Sequence, residues 1–427
     1  MKIKVKELSY DKVLALPKEK RFKPRKPMWL LRGLIRLLSV PELMKVNFKC
    51  RKIGMEKLKR NEPCLILMNH SSFIDFKIAY RIFFPRSMNI VTTTDGFVGK
   101  KLLMQLIGCI PTAKFVTDYS LVRNLVYTVT ELKSSVLMYP EASYSFDGTA
   151  TPLPESVGKL LKLLNVPVIF VRTYGAFHLQ PLYNSLKKRK VQVSADVEYL
   201  LSPEEIAEKS PKELNEILGR CFTFDHFKWQ QQEKLLVKEG FRADSLNRAL
   251  FKCPRCQTEG KMLGKGDRLQ CNHCGVSYVL TQDGYLSAES GETEFPHIPD
   301  WYEWERSCVR KELEEQRYRL DVPVEIYVLR NTKAIYHVGS GQLKHDHTGF
   351  HLTGCDGLLD YKQSPDASYS LYSDFYWYEL GDMISIGKSD LQYYCFPKDG
   401  NDYVAKTRLA TEELYKLRTI SKRKTNV

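Results

Sequence analysis

Residues 65–76 read LILMNHSSFIDF, and this stretch decides how the chain is organised. The apolar run 64–68 has the length of a buried strand, and it ends at the turn-forming sequence 69–72. A helical pattern follows. His70 and Asp75 therefore lie at a strand-to-helix junction. A carboxylate in the first helical turn can orient the imidazole there as a general base for a hydroxyl proton.

Strand-like and helical segments alternate through the first half of the chain. A second apolar strand, in the run 137–143 (LMYPEAS), again passes into a polar turn, and the alternating segment 191–197 reads as a later strand. Such alternation predicts a layered α/β domain, here over residues 47–245. In α/β sheets the chemistry usually lies at the carboxyl ends of the strands, where both polar turns fall.

The polar turns resemble the motifs of the glycerolipid acyltransferase family, of the lysophosphatidic acid acyltransferase type. The first family motif, Asn-His-x-x-x-x-Asp, is matched by Asn69, His70 and Asp75. The second, a glycine followed by apolar residues and a basic one, is matched by GCIPTAK at 108–114. Order and spacing agree over residues 50–200.

The third and fourth motifs complete this resemblance. The third, Phe-Pro-Glu-Gly-Thr-Arg, is matched in part by YPEASY at 139–144. Tyr144 replaces the arginine of the family, which helps to hold the acceptor's phosphate, and Ala142 replaces the glycine. The fourth, an apolar strand containing proline, is matched by VPVIFV at 166–171. The departure at Tyr144 leaves the identity of the acceptor open.

The resemblance implies an acyltransferase of phospholipid synthesis. The acyl chain would move from a thioester, acyl-coenzyme A or acyl-carrier protein, to a hydroxyl of a glycerolipid acceptor, with lysophosphatidic acid first among the candidates. His70 would take the hydroxyl proton and Asp75 would orient it, with no serine or cysteine nucleophile and no catalytic metal.

The candidate substrate-binding residues follow from the same motifs. The resemblance implies that Glu141 and Ser143 shape the acceptor site, that Asn69 belongs to it, and that Lys114 holds the phosphate. Arg172, which directly follows the fourth motif, is a further candidate for binding an anionic group.

The basic charge is concentrated at the start of the chain. Residues 1–60 hold 19 Lys/Arg and 5 Asp/Glu, which is +14 of the net +15. The run 28–38, MWLLRGLIRLL, is too short and too charged to span a bilayer. Its basic amphipathic pattern predicts a membrane-associating segment over residues 1–46 that binds anionic lipid. The alternative is a helix packed on the protein core.

The cysteines indicate a reducing compartment and a metal site. There are 11 cysteines, an odd number, without a signal-peptide pattern, so we expect a cytoplasmic protein, peripheral on the inner face of the membrane. Two Cys-x-x-Cys pairs, Cys253/Cys256 and Cys271/Cys274, predict a structural zinc ribbon over 246–287. A redox pair is the alternative. Few basic residues and no aromatic lie between the pairs, which disfavours nucleic acid as a partner.

The last part of the chain has a different residue pattern. A linker and a charged helix are predicted over 288–320. Short alternating segments and a final helix at about 402–418 resemble a pleckstrin-homology-like, barrel-like domain over 321–427. The predicted fold is therefore α/β, followed by a zinc ribbon and a C-terminal barrel-like domain with a terminal helix. A non-catalytic lipid- or protein-binding scaffold at the membrane remains the alternative function.

Overall fold

The stretch 65–76 lies at the centre of a seven-stranded sheet. The computed structural model describes residues 2–19, 22–116 and 118–425. The sheet has the order β2-β8-β7-β3-β6-β4-β5. All neighbours pair in parallel except β7 and β8. Its strands are β2 (Lys49–Ile53), β3 (Leu65–Met68), β4 (Met88–Thr93), β5 (Cys109–Thr112), β6 (Ser135–Met138), β7 (Val168–Tyr174) and β8 (Ser194–Leu201).

Helices connect and cover these strands. The helices of this half of the chain are α1 (Tyr10–Ala15), α2 (Trp29–Lys45), α3 (Ile74–Phe83), α4 (Lys101–Leu106), α5 (Tyr119–Thr130), α6 (Ser156–Leu164), α7 (Ala176–Leu179), α8 (Pro203–Glu208), α9 (Pro211–Phe222) and α10 (His226–Gln232). Short 3-10 turns lie at Met55–Lys57, Thr94–Phe97, Leu182–Asn184 and Leu246–Arg248.

Strand β3 is buried on both faces, as its continuous apolar sequence predicts. Ile66 and Met68 pack into the hydrophobic core on one side of the sheet, and Leu65 and Leu67 into the core on the other side. This alternation follows from the two-residue period of a strand. Layers of helix, sheet and helix result, so the predicted α/β domain is confirmed.

A small antiparallel sheet follows this domain, and the four cysteines lie in the loops beside its strands or, for Cys271, at the end of one strand. Its order is β12-β11-β10-β9. Gly266, at φ 68°, lies in the turn between the first two strands. The strands are β9 (Met262–Lys265), β10 (Arg268–Cys271), β11 (Ser277–Leu280) and β12 (Leu286–Ala288). The helix α11 (Ile298–Glu314) then leads to the C-terminal domain, as predicted.

The C-terminal domain is a large, mainly antiparallel sheet closed by a helix. Its main path runs β16-β15-β14-β13-β19-β18-β17. No ladder pairs β16 with β17 among the described residues, so a closed barrel stays a prediction. The elements are β13 (Leu320–Asn331), β14 (Ala334–Asp346), β15 (Gly349–Gly354), β16 (Leu359–Gln363), the 3-10 turn Pro365–Ala367, β17 (Tyr372–Trp377), β18 (Gly381–Lys388), β19 (Leu391–Pro397) and α12 (Val404–Thr425).

The N-terminal segment divides into two parts with different surroundings. Its first strand, β1 (Val5–Glu7), pairs in parallel with β14 of the C-terminal sheet, and Tyr10 and Val13 of α1 are buried. Helix α2, in contrast, exposes large apolar side chains. The exposed apolar side chains of the N-terminal segment therefore lie mostly on its second part, and membrane association of residues 1–46 stays a prediction.

One hydrophobic core runs through the predicted domain boundaries. It joins Phe146 and Phe177 of the α/β domain to Trp301 of α11 and to side chains of the cysteine sheet and the C-terminal sheet. The parts therefore fold against one another, and the C-terminal domain is placed beside the α/β sheet. Among the described residues, no helix combines the length and the apolar character needed to cross a membrane.

Candidate functional site

The candidate site lies where β3 ends. The strand stops at Met68, and α3 begins at Ile74. The intervening turn carries His70 at the carboxyl edge of the sheet, and Asp75 stands in the first turn of α3. The strand-to-helix junction therefore brings the two predicted catalytic side chains together.

His70 and Asp75 form the hydrogen bond that their spacing predicts. The Nδ1 atom of His70 lies 3.2 Å from Oδ2 of Asp75. The same carboxylate oxygen accepts hydrogen bonds from the backbone amides of Ser71, at 2.7 Å, and Ser72, at 3.0 Å. Asp75 is fully buried, so these bonds hold the carboxylate in one orientation. A proton on Nδ1 leaves Nε2 of the imidazole as the basic atom.

Two tyrosine rings contact the imidazole. The ring centroid of His70 lies 4.1 Å from that of Tyr139 and 4.2 Å from that of Tyr144. Burial lowers the pKa of His70, while the hydrogen bond and the charge of Asp75 oppose this shift and nearby Lys114 adds to it. The imidazole is consequently neutral at pH 7, which is the state that a general base requires.

Glu141 stabilises the turn that carries His70. Its Oε2 atom accepts a hydrogen bond from the backbone amide of His70 at 2.9 Å, and its Oε1 atom accepts one from that of Thr151 at 3.0 Å. Burial raises the pKa of Glu141 to about 7. The carboxyl group does not line the cavity described below, so its geometry is that of a residue that positions His70.

Asn69 and Ser143 are also turned into the protein. The Oδ1 atom of Asn69 accepts hydrogen bonds from the backbone amide and the hydroxyl of Thr173 on β7, at 2.8 and 3.2 Å. The hydroxyl of Ser143 donates to the carbonyl of Tyr144 at 3.0 Å. Both side chains are buried and lie outside the lining of the cavity. They stabilise the turns that carry His70 and Tyr144.

A cavity of about 1510 Å³ opens in front of His70. Lys114, the predicted phosphate ligand after β5, lines it together with His70 and Tyr144. Arg172 does not: its guanidinium donates a hydrogen bond to the carbonyl of Cys221 and lies 5.3 Å from the ring of Phe224. The structure therefore brings His70 and Lys114 to the cavity and leaves Arg172 away from it.

Residues 366–379 of the C-terminal domain form a further wall of the cavity, which sequence reasoning missed. Asp95 anchors this wall, because its Oδ2 atom accepts hydrogen bonds from the hydroxyl of Tyr372 at 2.7 Å and from Nε1 of Trp377 at 3.2 Å. The ammonium of Lys114 lies 4.4 Å from the ring centroid of Tyr372. The sequence feature that could have indicated this wall is the run YSLYSDFYWY at 369–378, which has six aromatic residues.

The four predicted metal ligands lie together. The sulfur atoms of Cys253, Cys256, Cys271 and Cys274 are all within 4.8 Å of one another. Two of the pairs, Cys253 with Cys274 and Cys256 with Cys271, are 3.8 and 3.7 Å apart. Four thiolates around Zn²⁺ at about 2.3 Å are separated by about 3.8 Å. The cluster therefore fits a tetrahedral metal ion.

Comparison with known proteins agrees with this site. Residues 49–173 match the family model described as Acyltransferase. The chain therefore carries an acyltransferase domain, and this segment includes the His70–Asp75 junction, Lys114 and the turn with Glu141. A search of the curated proteins finds no match.

One solved structure is similar in part. It is that of the 1-acyl-sn-glycerophosphate (LPA) acyltransferase PlsC from Thermotoga maritima, at 14% identity and a TM-score of 0.35. The similarity covers 44% of this chain and 77% of that one.

Proposed function

We propose that this protein transfers an acyl chain from a thioester, of coenzyme A or an acyl-carrier protein, to a hydroxyl of a glycerolipid at a membrane surface. The observation that carries the proposal is the His70–Asp75 pair, which faces a large cavity within an acyltransferase domain. Lysophosphatidic acid is the acceptor that the motif resemblance puts first.

The reaction needs only the groups that the site provides. Nε2 of His70 takes the proton of the acceptor hydroxyl while its oxygen attacks the thioester carbonyl. The buried carboxylate of Asp75 stabilises the imidazolium that forms. The carbon–sulfur bond then breaks, the new ester retains the carbonyl, and the thiolate leaves with the proton from the imidazolium. The hydroxyls of Ser71 and Ser72 take no part.

The cavity has an apolar wall suited to an acyl chain. The aliphatic side chains of this wall come from β4, α5 and α6: they are Ile90, Val91, Leu121, Val122, Leu125, Leu160 and Leu163. Of these, Val122 and Leu163 are exposed to solvent, as is the lining residue Phe73. The mouth of the cavity is therefore apolar, which supports delivery of lipid substrates from a bilayer.

Helix α2 supplies a surface for binding that bilayer. Its polar side attaches it to the α/β domain: Arg32 donates a hydrogen bond to the carbonyl of Pro85 at 2.8 Å, and Glu42 forms ion pairs with Lys77 and Lys188. Its exposed apolar side chains are Trp29 (71% exposed), Leu37 (67%), Leu38 (66%) and Met44 (74%), together with Leu30 and Leu34.

An apolar helix face that is open to water favours membrane binding over packing on the core. The backbone amide of Met28 donates to the carbonyl of Leu106 at 2.9 Å, so α2 starts beside the end of α4. Leu102 and Leu103 of α4 are exposed, and Met104 lines the cavity. We infer that the basic N-terminal segment holds the enzyme on an anionic surface, peripherally on the cytoplasmic face of the membrane.

Zinc is the metal that the four cysteines are proposed to hold. With four thiolates the site would be closed and would contribute to folding rather than to catalysis. Because this sheet shares a core with α11 and the C-terminal domain, a bound ion would also stabilise the wall of the cavity.

The proposal is tested by measuring acyl transfer from both thioesters to a panel of lysolipids with the wild type, His70→Ala, and the matched control His347→Ala, an exposed histidine. We expect transfer that His70→Ala abolishes and His347→Ala retains. If the wild type is silent with every acceptor while it still binds vesicles, acyl transfer is the wrong function and a lipid-binding scaffold replaces it.

A further inference from the structure

The C-terminal domain contributes a carboxylate to the cavity. Asp374 on β17 lines the same space as His70 and Lys114. Tyr372 and Asp374 are two residues apart on β17, so their side chains lie on the same face of the strand, and the ring centroid of Tyr372 lies 4.4 Å from the ammonium of Lys114. The carboxylate therefore lies in the wall of the cavity that His70 faces, on the strand whose Tyr372 contacts Lys114.

Lys114 and Asp374 carry opposite charges but are not paired with each other. Burial lowers the pKa of Lys114 and raises that of Asp374, and the charge of each group opposes the shift of the other. No ion pair within 4.0 Å joins them in the part of the chain that the structure describes, and the contact of the ammonium is with the ring of Tyr372. Burial raises the pKa of Asp374 to about 7, which is a cost that a bound cation would relieve. Both groups retain capacity for a ligand.

Aromatic side chains accompany the carboxylate. The wall of the same cavity also contains Tyr144, Tyr369, Tyr376 and Tyr378. Burial raises the pKa of the phenols of Tyr144 and Tyr378, and the negative charge of Asp374 adds to both shifts. Aromatic faces beside a carboxylate are the surroundings that ammonium ligands prefer, because the cation interacts with the ring quadrupoles as well as with the negative charge.

The β17–β18 connection is held in an unusual backbone conformation at this point. Tyr376, Tyr378 and Glu379 have φ values of 56°, 46° and 68°, in the left-handed region that bulky residues rarely adopt. Such conformations persist where the surrounding structure demands them, and they cluster at ligand sites. The turn places Trp377, Tyr378 and Glu379 in the cavity wall.

We propose that the acceptor is a lysolipid whose headgroup carries both an anionic group and an ammonium group, with Lys114 binding the anion and Asp374 and its tyrosines binding the ammonium. This inference rests on the proposed acyltransferase function, and it puts a zwitterionic lysolipid in place of lysophosphatidic acid as the first candidate acceptor. A headgroup with only a phosphate would place a dianion opposite the carboxylate of Asp374. In addition, this chain has Tyr144 where the related family has the arginine that helps to hold the phosphate. A zwitterionic headgroup satisfies both charges.

The first test compares acceptors. With the wild type, kcat/KM is measured for lysophosphatidylcholine and lysophosphatidylethanolamine, which carry an ammonium, and for lysophosphatidic acid and lysophosphatidylglycerol, which do not. We expect the first two to be acylated at least about tenfold more efficiently, the range of a desolvated cation–π and charge contact. A preference for either anionic acceptor overturns the proposal.

The second test removes the carboxylate alone. Asp374→Asn should lower kcat/KM about tenfold for the ammonium acceptors and leave the anionic ones unchanged or improved. Asp356→Asn, an exposed aspartate in a turn of the same domain, serves as the control and should change neither. An equal loss on all four acceptors would show a merely structural role for Asp374 and would also overturn the proposal.

A binding measurement tests the headgroup assignment separately from the acyl-transfer reaction. Short-chain lysophosphatidylcholine and lysophosphatidic acid are titrated into His70→Ala, with and without Asp374→Asn, by calorimetry. We expect the choline lipid to bind at least about tenfold more tightly, and Asp374→Asn to remove the difference. If neither binds, or the difference persists, the headgroup assignment is wrong. If the preference is found but no acceptor is ever acylated, the proposed function fails while the binding assignment stands.

Discussion

The ring of Tyr144 lies on the imidazole of His70, with 4.2 Å between the ring centroids. The related family has an arginine at this position, so a neutral ring here replaces a cation beside the general base. A guanidinium would lower the pKa of His70 further, in addition to Lys114. The residue at position 144 therefore affects the electrostatics of the His70 imidazole.

The pH dependence of catalysis reports the state of His70. Because burial lowers its pKa below the ordinary 6.5, kcat/KM should rise as pH increases through a midpoint below 6.5 and be level at pH 7. The measurement is a pH–rate profile between pH 4.5 and about 8. Tyr144→Arg should move the midpoint to lower pH, since it adds a positive charge. A midpoint above 6.5 in the wild type would contradict this assignment.

Asp75→Asn should lower kcat by about 10²–10⁴-fold with a smaller change in KM, because the amide no longer stabilises the imidazolium. It should also shift the midpoint of the pH profile downward, since the carboxylate is what raises the pKa of His70 against burial. Single-turnover kinetics of the variant, measured across the pH range, check both effects. Circular dichroism checks that the variant is folded. Asp360→Asn, an exposed aspartate far from the cavity, is the matched control. A variant that keeps wild-type kcat would remove Asp75 from the mechanism.

The cysteine cluster should contain one equivalent of zinc in protein purified without chelator. Cys256→Ser should abolish this metal content and lower the melting temperature, because metal binding and folding of such a site are coupled. Cys308→Ser changes a cysteine of α11 outside the cluster and should do neither. Metal analysis and thermal unfolding of the three proteins provide the test. Equal metal content in Cys256→Ser and the wild type would rule out the four-thiolate site.

Membrane binding should depend on the exposed face of α2. Leu37→Asp should weaken binding to vesicles containing anionic lipid by at least about tenfold, because it replaces a side chain buried in the interface by a charge. Leu358→Asp, which is 62% exposed on the C-terminal domain, should leave binding unchanged. Vesicle co-sedimentation at several salt concentrations measures both effects. Equal binding of the two variants would assign the exposed face of α2 another role.

Ala142 should tolerate replacement by glycine with a gain in stability. Its φ of 56° lies in the left-handed region, where the Cβ atom costs about 1 kcal/mol or more. Ala142→Gly is therefore expected to raise the free energy of unfolding by about 1 kcal/mol. Ala207→Gly, in helix α8, should lower it by a similar amount. Urea unfolding of the two variants gives opposite signs if the backbone argument holds.

The local features of the site were predictable because they depend on short stretches of chain. The strand-to-helix junction places His70 beside Asp75 within five residues. Likewise, Ser202 and Ser210, each followed by a proline, cap the helices α8 and α9. In such cases hydrophobic periodicity and capping chemistry decide the local structure with little help from the rest of the fold.

The motif pattern was less informative about where individual side chains point. Asn69, Glu141 and Arg172 were expected to contact substrate, yet they hydrogen-bond inside the protein and do not line the cavity. A motif identifies a turn, and the direction of each side chain within it depends on neighbouring strands that are distant in sequence. The hydrogen bond of Asn69 to Thr173 spans 104 residues.

By itself, the sequence determined the α/β domain, the His70–Asp75 pair and the four-cysteine cluster, since each depends on local spacing and hydrophobic periodicity. Only the tertiary structure decided that the C-terminal domain closes the cavity, with Asp374 in the cavity wall and with Tyr372 and Trp377 hydrogen-bonded to Asp95. The physical reason is that these contacts join residues more than 200 positions apart, and the shared hydrophobic core that docks the domains sets their geometry.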